Sequence, residues 1–166
     1  MDYPDDVLAE LDIVIGAVHS RLKQPKAEMT RRICAALANP HVNILAHPTG
    51  RLVGERDPYE VDLEQVFQAA KRHGKAIEIN ASPQRADLSD VQARRAAELG
   101  ALIAINTDTH RLAHLEHIEL GVAAARRAWI GPAQVINAWP LEKLLDWARS
   151  ARSVRERKAQ IKRRSR

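Results

Sequence analysis

The sequence has few of the features that would place the protein in a membrane or in an oxidising compartment. Cys34 is its one cysteine, so no internal disulfide can form. No apolar run approaches the roughly 20 residues that cross a bilayer. Residues 1–6 lack the basic and then apolar order of a signal peptide. We therefore expect a cytoplasmic protein with no membrane partner.

Length and composition predict one globular domain with a basic end. The chain has 166 residues, of which 45% are hydrophobic, and this is enough to form one core. The net charge is +5, and the charge of residues 149–166 alone exceeds this value. We expect a domain over residues 1–148 and a helical or disordered basic tail over residues 149–166. Such a tail can bind the phosphates of nucleic acid, but is more often a solvated chain end.

Short apolar runs alternate with helical patterns along the chain, which predicts an α/β fold with a parallel sheet. We expect strands within residues 12–19, 42–47, 76–80 and 103–110. The predicted helices lie near Val7–Glu10, Ala27–Leu37, Leu63–Arg72, Ser89–Leu99, Leu115–Arg127 and Leu141–Trp147.

Histidine or aspartate residues stand at the ends of three of these strands. His19 and His47 each close an apolar run, and Asp108 and His110 follow the last run. Parallel strands place their carboxyl ends at one edge of the sheet, where α/β proteins bind ligands and metals. Imidazole and carboxylate together suit Zn²⁺, Mn²⁺ or Fe²⁺. Asp108 and His110 are two residues apart, so the pleat would direct both side chains into the site.

Each of these residues also has an ordinary structural interpretation. A single histidine at a strand end is more often a hydrogen-bonded or half-exposed side chain than a metal ligand. His114 and His117 lie three residues apart and are expected to decorate a helix surface. The case for a metal site therefore depends on the convergence of several strand ends, not on one histidine.

Polar residues near the same strand ends indicate which class of substrate the site would bind. Arg21, Arg51 and Arg85 each follow a strand end by a few residues, and guanidinium groups there favour an anionic, phosphate-bearing substrate. Asn80 is expected to line the pocket. Glu78 either faces the pocket as well or is a buried carboxylate paired with Arg51 or Arg85.

Several motifs together resemble the PHP family, named for polymerases and histidinol phosphatases. The form they resemble most is the domain at the carboxyl end of bacterial family-X DNA polymerases. The resemblance implies that residues 1–148 are a partial PHP domain, the carboxyl-terminal part of a distorted seven-stranded (β/α) barrel with parallel strands. The complete family site holds up to three ions, Mn²⁺ or Zn²⁺, at its carboxyl mouth. The matching segments are Val18–Ser20, Ile44–Arg51, Ile77–Asn80, Arg85–Leu88, Asn106–His110 and Gly121–Trp129.

Carried over to this chain, the family pattern implies four metal ligands. His19 and His47 match ligands of one ion, Asp108 a ligand of a second, and His110 a ligand of a third. A His-x-His strand, a further histidine pair and a bridging glutamate of the family have no counterpart in this chain. We therefore expect weak metal binding and little catalysis unless a missing amino-terminal half of the domain or a polymerase segment completes the site.

The resemblance implies a metal-dependent phosphoesterase. The leading hypothesis is a 3′–5′ exonuclease and 3′-end phosphatase that acts on DNA as part of a family-X polymerase, with Arg51, Asn80 and Arg85 binding substrate. One alternative is a histidinol-phosphatase-like enzyme that takes a small phosphate ester. The other is a non-catalytic fragment whose basic tail binds nucleic acid.

Overall fold

The computed structural model describes residues 1–150 of the chain and shows an α/β fold. The predicted basic tail therefore lies outside the described residues from position 151 onward. The described part contains one sheet of four parallel strands in the order β1-β2-β3-β4, which confirms the predicted parallel sheet. The seven strands of a full barrel are not shown. The strands are β1 (Ile15–Gly16), β2 (Ile44–Leu45), β3 (Ala76–Asn80) and β4 (Leu102–Asn106).

The α-helices fall close to the predicted positions. They are α1 (Asp5–Ala9), α2 (Lys26–Ala38), α3 (Leu63–His73), α4 (Asp90–Glu98) and α5 (Ile118–Arg127), and residues 141–150 are also helical. The sequence specifies several of these ends directly. Ser89 and Gln92 form a reciprocal capping box at the start of α4. Gly74 ends α3 in the left-handed conformation with φ +63°.

One predicted helix is divided in the structure. Instead of a single helix over residues 115–127, a 3₁₀ segment over Leu112–His117 leads into α5. Residues three apart eclipse each other in a 3₁₀ turn. Accordingly, the rings of His114 and His117 stack with their centroids 5.1 Å apart.

The first two strands begin later than predicted because a side chain replaces part of the backbone ladder at their amino ends. The Asn43 carboxamide oxygen accepts the Val14 N–H at 2.9 Å, and the Asn43 amide group donates to the carbonyl of Ala148. Regular pairing resumes beyond this point, where the Ala46 N–H donates to the Gly16 carbonyl. The strands end at Gly16 and Leu45, and the chain beyond them carries His19 and His47 to the carboxyl edge of the sheet.

The sheet is covered on both faces, which explains why its strands are almost entirely apolar. One face carries Ile77 and Ile103, which pack in the main core with Phe67 of α3. The alternate residues face a second cluster of Ile44, Ala76, Ala104 and Ile136, against which Trp139, Leu144 and Trp147 pack. Along this second face β3 continues from Ala76 to Glu78 and Asn80, so it becomes polar towards its carboxyl end.

Among the helices of residues 1–150, none is long and apolar enough to span a membrane.

Candidate functional site

An open cavity of about 720 Å³ lies at the carboxyl end of the sheet. Residues of β1, β3 and β4 and the residues just after β2 line it, because the parallel arrangement places the strand ends together. Its polar lining includes His19, His47, Glu78 and Asp108, and Ile118 is among its apolar lining residues. Three of the four predicted ligands therefore meet in one cavity.

His19 and His47 are in direct contact. Their Nε2 atoms lie 3.3 Å apart, and their ring centroids are separated by 5.2 Å. Burial lowers the pKa of His47 to about 4, and the nearby cation of Arg85 acts in the same direction. His47 is therefore neutral at physiological pH, which is the form of imidazole that binds a metal.

His47 and Asp108 both have unusual backbone conformations. Their φ angles are +29° and +52°, in a region that residues other than glycine rarely adopt. Such strained conformations persist only where the surrounding structure holds them, and they are concentrated at functional sites. Two of the four predicted ligands thus share a feature that the sequence does not reveal.

The conformation of Asp108 separates it from His110. The left-handed turn at Asp108 ends the strand alternation that would have directed both side chains into the site. His110 is exposed, and its Nδ1 lies 2.7 Å from the carbonyl oxygen of Asp108. His110 therefore lies outside the lining of the cavity, and its role as a metal ligand stays a prediction.

Asp108 is bound to an arginine. Nε of Arg85 donates to Oδ2 of Asp108 at 2.7 Å, and Nη1 of Arg85 is buried with no hydrogen-bond partner among residues 1–150. Burial raises the pKa of Asp108, but the hydrogen bond and charge of Arg85 outweigh it and hold this pKa below its usual value. The site thus contains an ionised carboxylate and a cation with an unused donor.

Glu78 is buried, as one of the two sequence interpretations required, but its partners differ from those expected. Its carboxylate accepts the backbone N–H of His47 at 2.6 Å and the side-chain amides of Asn80 and Asn106 at 3.1 and 2.8 Å. The predicted pairing with Arg51 or Arg85 is wrong, because those guanidinium groups bind elsewhere. Burial raises the pKa of Glu78 despite these hydrogen bonds.

Arg51 and Asn80 are bound to the protein itself. Nε of Arg51 donates to the carbonyl of Arg85 at 2.7 Å, and its Nη2 donates to the carbonyl of Ala86. The Asn80 side chain is buried, and its oxygen accepts the N–H of Ser82 at 3.1 Å. Arg51 therefore braces the loop that presents Arg85. Direct contact of Arg51 or Asn80 with substrate stays a prediction.

Asp87 is a buried residue that the sequence interpretation did not single out. Its Oδ2 accepts the backbone N–H groups of Thr49 and Gly50, each at 3.0 Å. The hydroxyl of Tyr59 donates to the carbonyl of Pro48 at 2.7 Å in the same loop. Together these contacts hold the turn that follows His47. The sequence offered one indication of this role, because Asp87 is an acidic residue directly before Leu88 in a loop that follows a buried strand.

No protein-family model matches the chain. A DNA polymerase/3′-5′ exonuclease, PolX of Bacillus subtilis (strain 168), is 45% identical over 142 residues, which is 86% of this chain and 25% of that protein. A probable phosphatase of Thermoanaerobacter sp. (strain X514) is 32% identical over 146 residues, which is 82% of this chain and 57% of that protein.

These relatives confirm the resemblance to the PHP family that the sequence motifs indicated. A third relative, a probable phosphatase of Caldanaerobacter subterraneus subsp. tengcongensis, is 34% identical over 119 residues, which is 66% of this chain and 44% of that protein. The chain thus spans a quarter of the length of PolX and no more than 57% of either phosphatase.

The PHP residues present here fit a metal site in part. The neutral His47 ring and the adjacent Nε2 of His19 suit two coordination positions on one divalent ion. Within the described residues, however, no three histidine, cysteine, aspartate or glutamate side chains form a group that could hold a metal. The structure therefore fits one incomplete donor set and does not by itself fit a three-ion centre.

Proposed function

We propose that this chain is part of a PHP phosphoesterase that hydrolyses phosphate esters at the 3′ end of DNA. The observation that carries the proposal is the contact between His19 and His47 in the same cavity as Asp108, at the carboxyl mouth of a parallel sheet. The names of the relatives support the class of reaction, since PolX is a 3′-5′ exonuclease and the others are probable phosphatases.

In this proposal the two histidines hold a divalent cation together with further ligands. Mn²⁺ or Zn²⁺ bound there would neutralise phosphate charge and provide a hydroxide near neutral pH. The contribution of the chain itself is to keep His47 neutral by burying it, so that its ring nitrogen remains a donor to a cation.

Arg85 is the residue proposed to bind the phosphate. Its guanidinium lies beside Asp108, and its buried Nη1 is not used by the described part of the chain. Arg51 holds the carbonyl of Arg85 and so limits the movement of the loop. Because Nε is paired with Asp108, phosphate would bind through the two Nη groups, after a movement that exposes Nη1.

A small phosphate ester is the alternative substrate. The observation in its favour is that the relatives in Thermoanaerobacter and Caldanaerobacter are named probable phosphatases. A monoesterase would need the same histidines and the same arginine. The two candidates differ only in whether a polynucleotide has to reach the cavity.

The test is hydrolysis by the purified chain in Mn²⁺. A 3′-end-labelled oligonucleotide, with and without a terminal 3′-phosphate, is compared with p-nitrophenyl phosphate. We expect slow release of the label, because the donor set of the described residues is incomplete. This activity should be lost in His47→Ala and kept in His73→Ala, whose histidine is exposed at the end of α3. Faster turnover of the small ester would favour the alternative.

Two results would contradict the proposal. Hydrolysis that survives His47→Ala would show that the activity does not come from this cavity. The absence of any hydrolysis in a folded chain shown to bind Mn²⁺ would show that this chain is not itself the phosphoesterase.

A further inference from the structure

We propose that Glu78 is a positioning residue that sets His47 against His19 and holds the Asp108 segment beside them. The inference rests on the proposed function only in treating these histidines as functional. The contacts that carry it are present without any ligand.

Glu78 joins the ends of three strands. It lies within β3, and its Oε2 accepts the His47 N–H just beyond β2 and the Asn80 amide at the end of β3. Its Oε1 accepts the amide of Asn106, the last residue of β4. Since Asp108 follows Asn106 by two residues, one carboxylate ties both halves of the candidate site together.

Burial of the Glu78 carboxylate costs free energy that its hydrogen bonds have to offset. Glu78 is 3% exposed, and its hydrogen-bond partners among the described residues are a backbone N–H and two neutral amides, not a cation. A buried carboxylate of this kind loses its hydration and is stabilised only by well-placed donors. An apolar side chain would leave the buried N–H of His47 without an acceptor.

The bond to His47 acts on a strained residue. His47 has a φ of +29°, and this backbone angle decides where the imidazole is directed. The short bond of 2.6 Å from its N–H to Glu78 holds the peptide unit immediately before the strained Cα. Loss of that bond would let His47 relax towards an ordinary conformation and move its Nε2 away from His19.

The arrangement also predicts which substitution is tolerated. In Glu78→Gln the amide oxygen can occupy the position of Oε2 and accept the N–H of His47. Its NH₂ group then faces Asn106, whose own amide can turn over to present its oxygen. Glutamine therefore preserves the geometry without the charge, whereas Glu78→Ala removes both.

The experiment observes the two rings directly in the ¹⁵N-labelled, metal-free chain. Contact between the Nε2 atoms requires one ring to carry a proton on Nε2 and the other to accept it. Long-range ¹H–¹⁵N spectra of the wild type should therefore show one protonated and one unprotonated Nε2 for this pair. We expect Glu78→Gln to keep this pattern and Glu78→Ala to lose it.

Two further variants are controls that separate a loss of stability from a loss of ring positioning. Val66→Ala, in the core on α3, should lower the melting temperature and leave the ring signals unchanged. Asn106→Ala removes one donor to Glu78 without removing the carboxylate, and should shift the amide signals of residues 106–108 while the His19–His47 pattern persists.

The outcomes separate the inference from the proposed function. Retention of the ring pattern in folded Glu78→Ala overturns the positioning role, and so does its loss in Glu78→Gln, because the charge would then act directly. If Glu78→Ala does not fold, the Gln and Asn106→Ala spectra still decide the question. None of these results depends on whether the chain hydrolyses a phosphate ester.

Discussion

Arg85 forms an ion pair with Asp108, in which Nε lies 2.7 Å from Oδ2. The residue expected to bind phosphate is thus paired with a residue expected to bind a metal. Both side chains are partly buried, with 18% and 29% of their surface exposed, which makes the pair less screened than a surface ion pair. In the conformation described, Asp108 cannot offer this oxygen to a cation until Arg85 moves.

This competition predicts opposite effects of one substitution. Arg85→Gln should raise the affinity of the chain for Zn²⁺ roughly tenfold, because a charge-assisted hydrogen bond of about 1.5 kcal/mol no longer competes for Asp108. The same change should weaken binding of inorganic phosphate. Zn²⁺ competition against a chromophoric chelator and phosphate titration by calorimetry measure the two effects.

Arg94→Gln is the matched control for this prediction, because Arg94 pairs with Glu98 on the exposed face of α4. It should leave both affinities unchanged. If Arg85→Gln binds Zn²⁺ no better than the wild type, Asp108 is not a ligand of that ion.

Asp87 should make the stability of the chain depend on pH. Burial raises the pKa of Asp87 above its ordinary value of 3.8, although the N–H groups of Thr49 and Gly50 oppose the change. The folded chain therefore binds this proton more tightly than the unfolded chain, and its contribution to stability falls as pH rises from about 4 through the folded pKa.

Asp87→Asn should remove this contribution, because asparagine keeps an acceptor for Thr49 and Gly50 but does not ionise. Urea unfolding at a series of pH values should show the free energy of unfolding of the variant rising, relative to the wild type, as pH increases. Asp57→Asn makes the same chemical change at an exposed position. Parallel pH profiles for Asp87→Asn and the wild type would show that Asp87 is not the source of the effect.

Gly121 should be required for the docking of α5. A Cβ at this position would lie 2.5 Å from Cγ2 of Ile105 and 2.8 Å from Cβ of Ala81, closer than real Cβ contacts. Gly121→Ala should therefore destabilise the chain by about 1–3 kcal/mol despite the better helix propensity of alanine.

Gly131 provides the control, since nothing lies within 4 Å of the position of its Cβ. Gly131→Ala should change the free energy of unfolding by less than about 0.5 kcal/mol. Denaturant unfolding compares the two variants, and equal effects would show that α5 is not packed as closely as described.

Ile103 should support the strand that leads to Asp108. It is fully buried in β4 and packs in the main core, so Ile103→Ala should cost about 2–5 kcal/mol. Val91→Ala, at a position on α4 that is 76% exposed, should cost less than about 0.5 kcal/mol. Chemical denaturation monitored by circular dichroism measures both, and a cost below about 1 kcal/mol for Ile103→Ala would contradict this packing.

Prediction from the sequence was accurate where a local signal determines the structure. The apolar period and Gly74 placed α3 to within one residue at its carboxyl end, and Ser89 marked the start of α4. The strand β3 was predicted to the residue, whereas β4, whose ladder with β3 is equally intact, begins one residue earlier than predicted and ends at Asn106. The first two strands begin later than predicted where the Asn43 side chain replaces part of the ladder, and sequence periodicity does not report that exchange.

The candidate site, too, has features that follow from the sequence and features that depend on tertiary contacts. The sequence by itself determined that His19, His47 and Asp108 come to one edge of the sheet, because alternating strands and helices force parallel strand ends together. Only the tertiary structure decided how they are used. The left-handed backbone at Asp108 turns His110 away, Arg85 takes the carboxylate of Asp108, and Glu78 accepts the N–H of His47. These contacts join residues 23 to 31 positions apart, and their geometry depends on packing between strands.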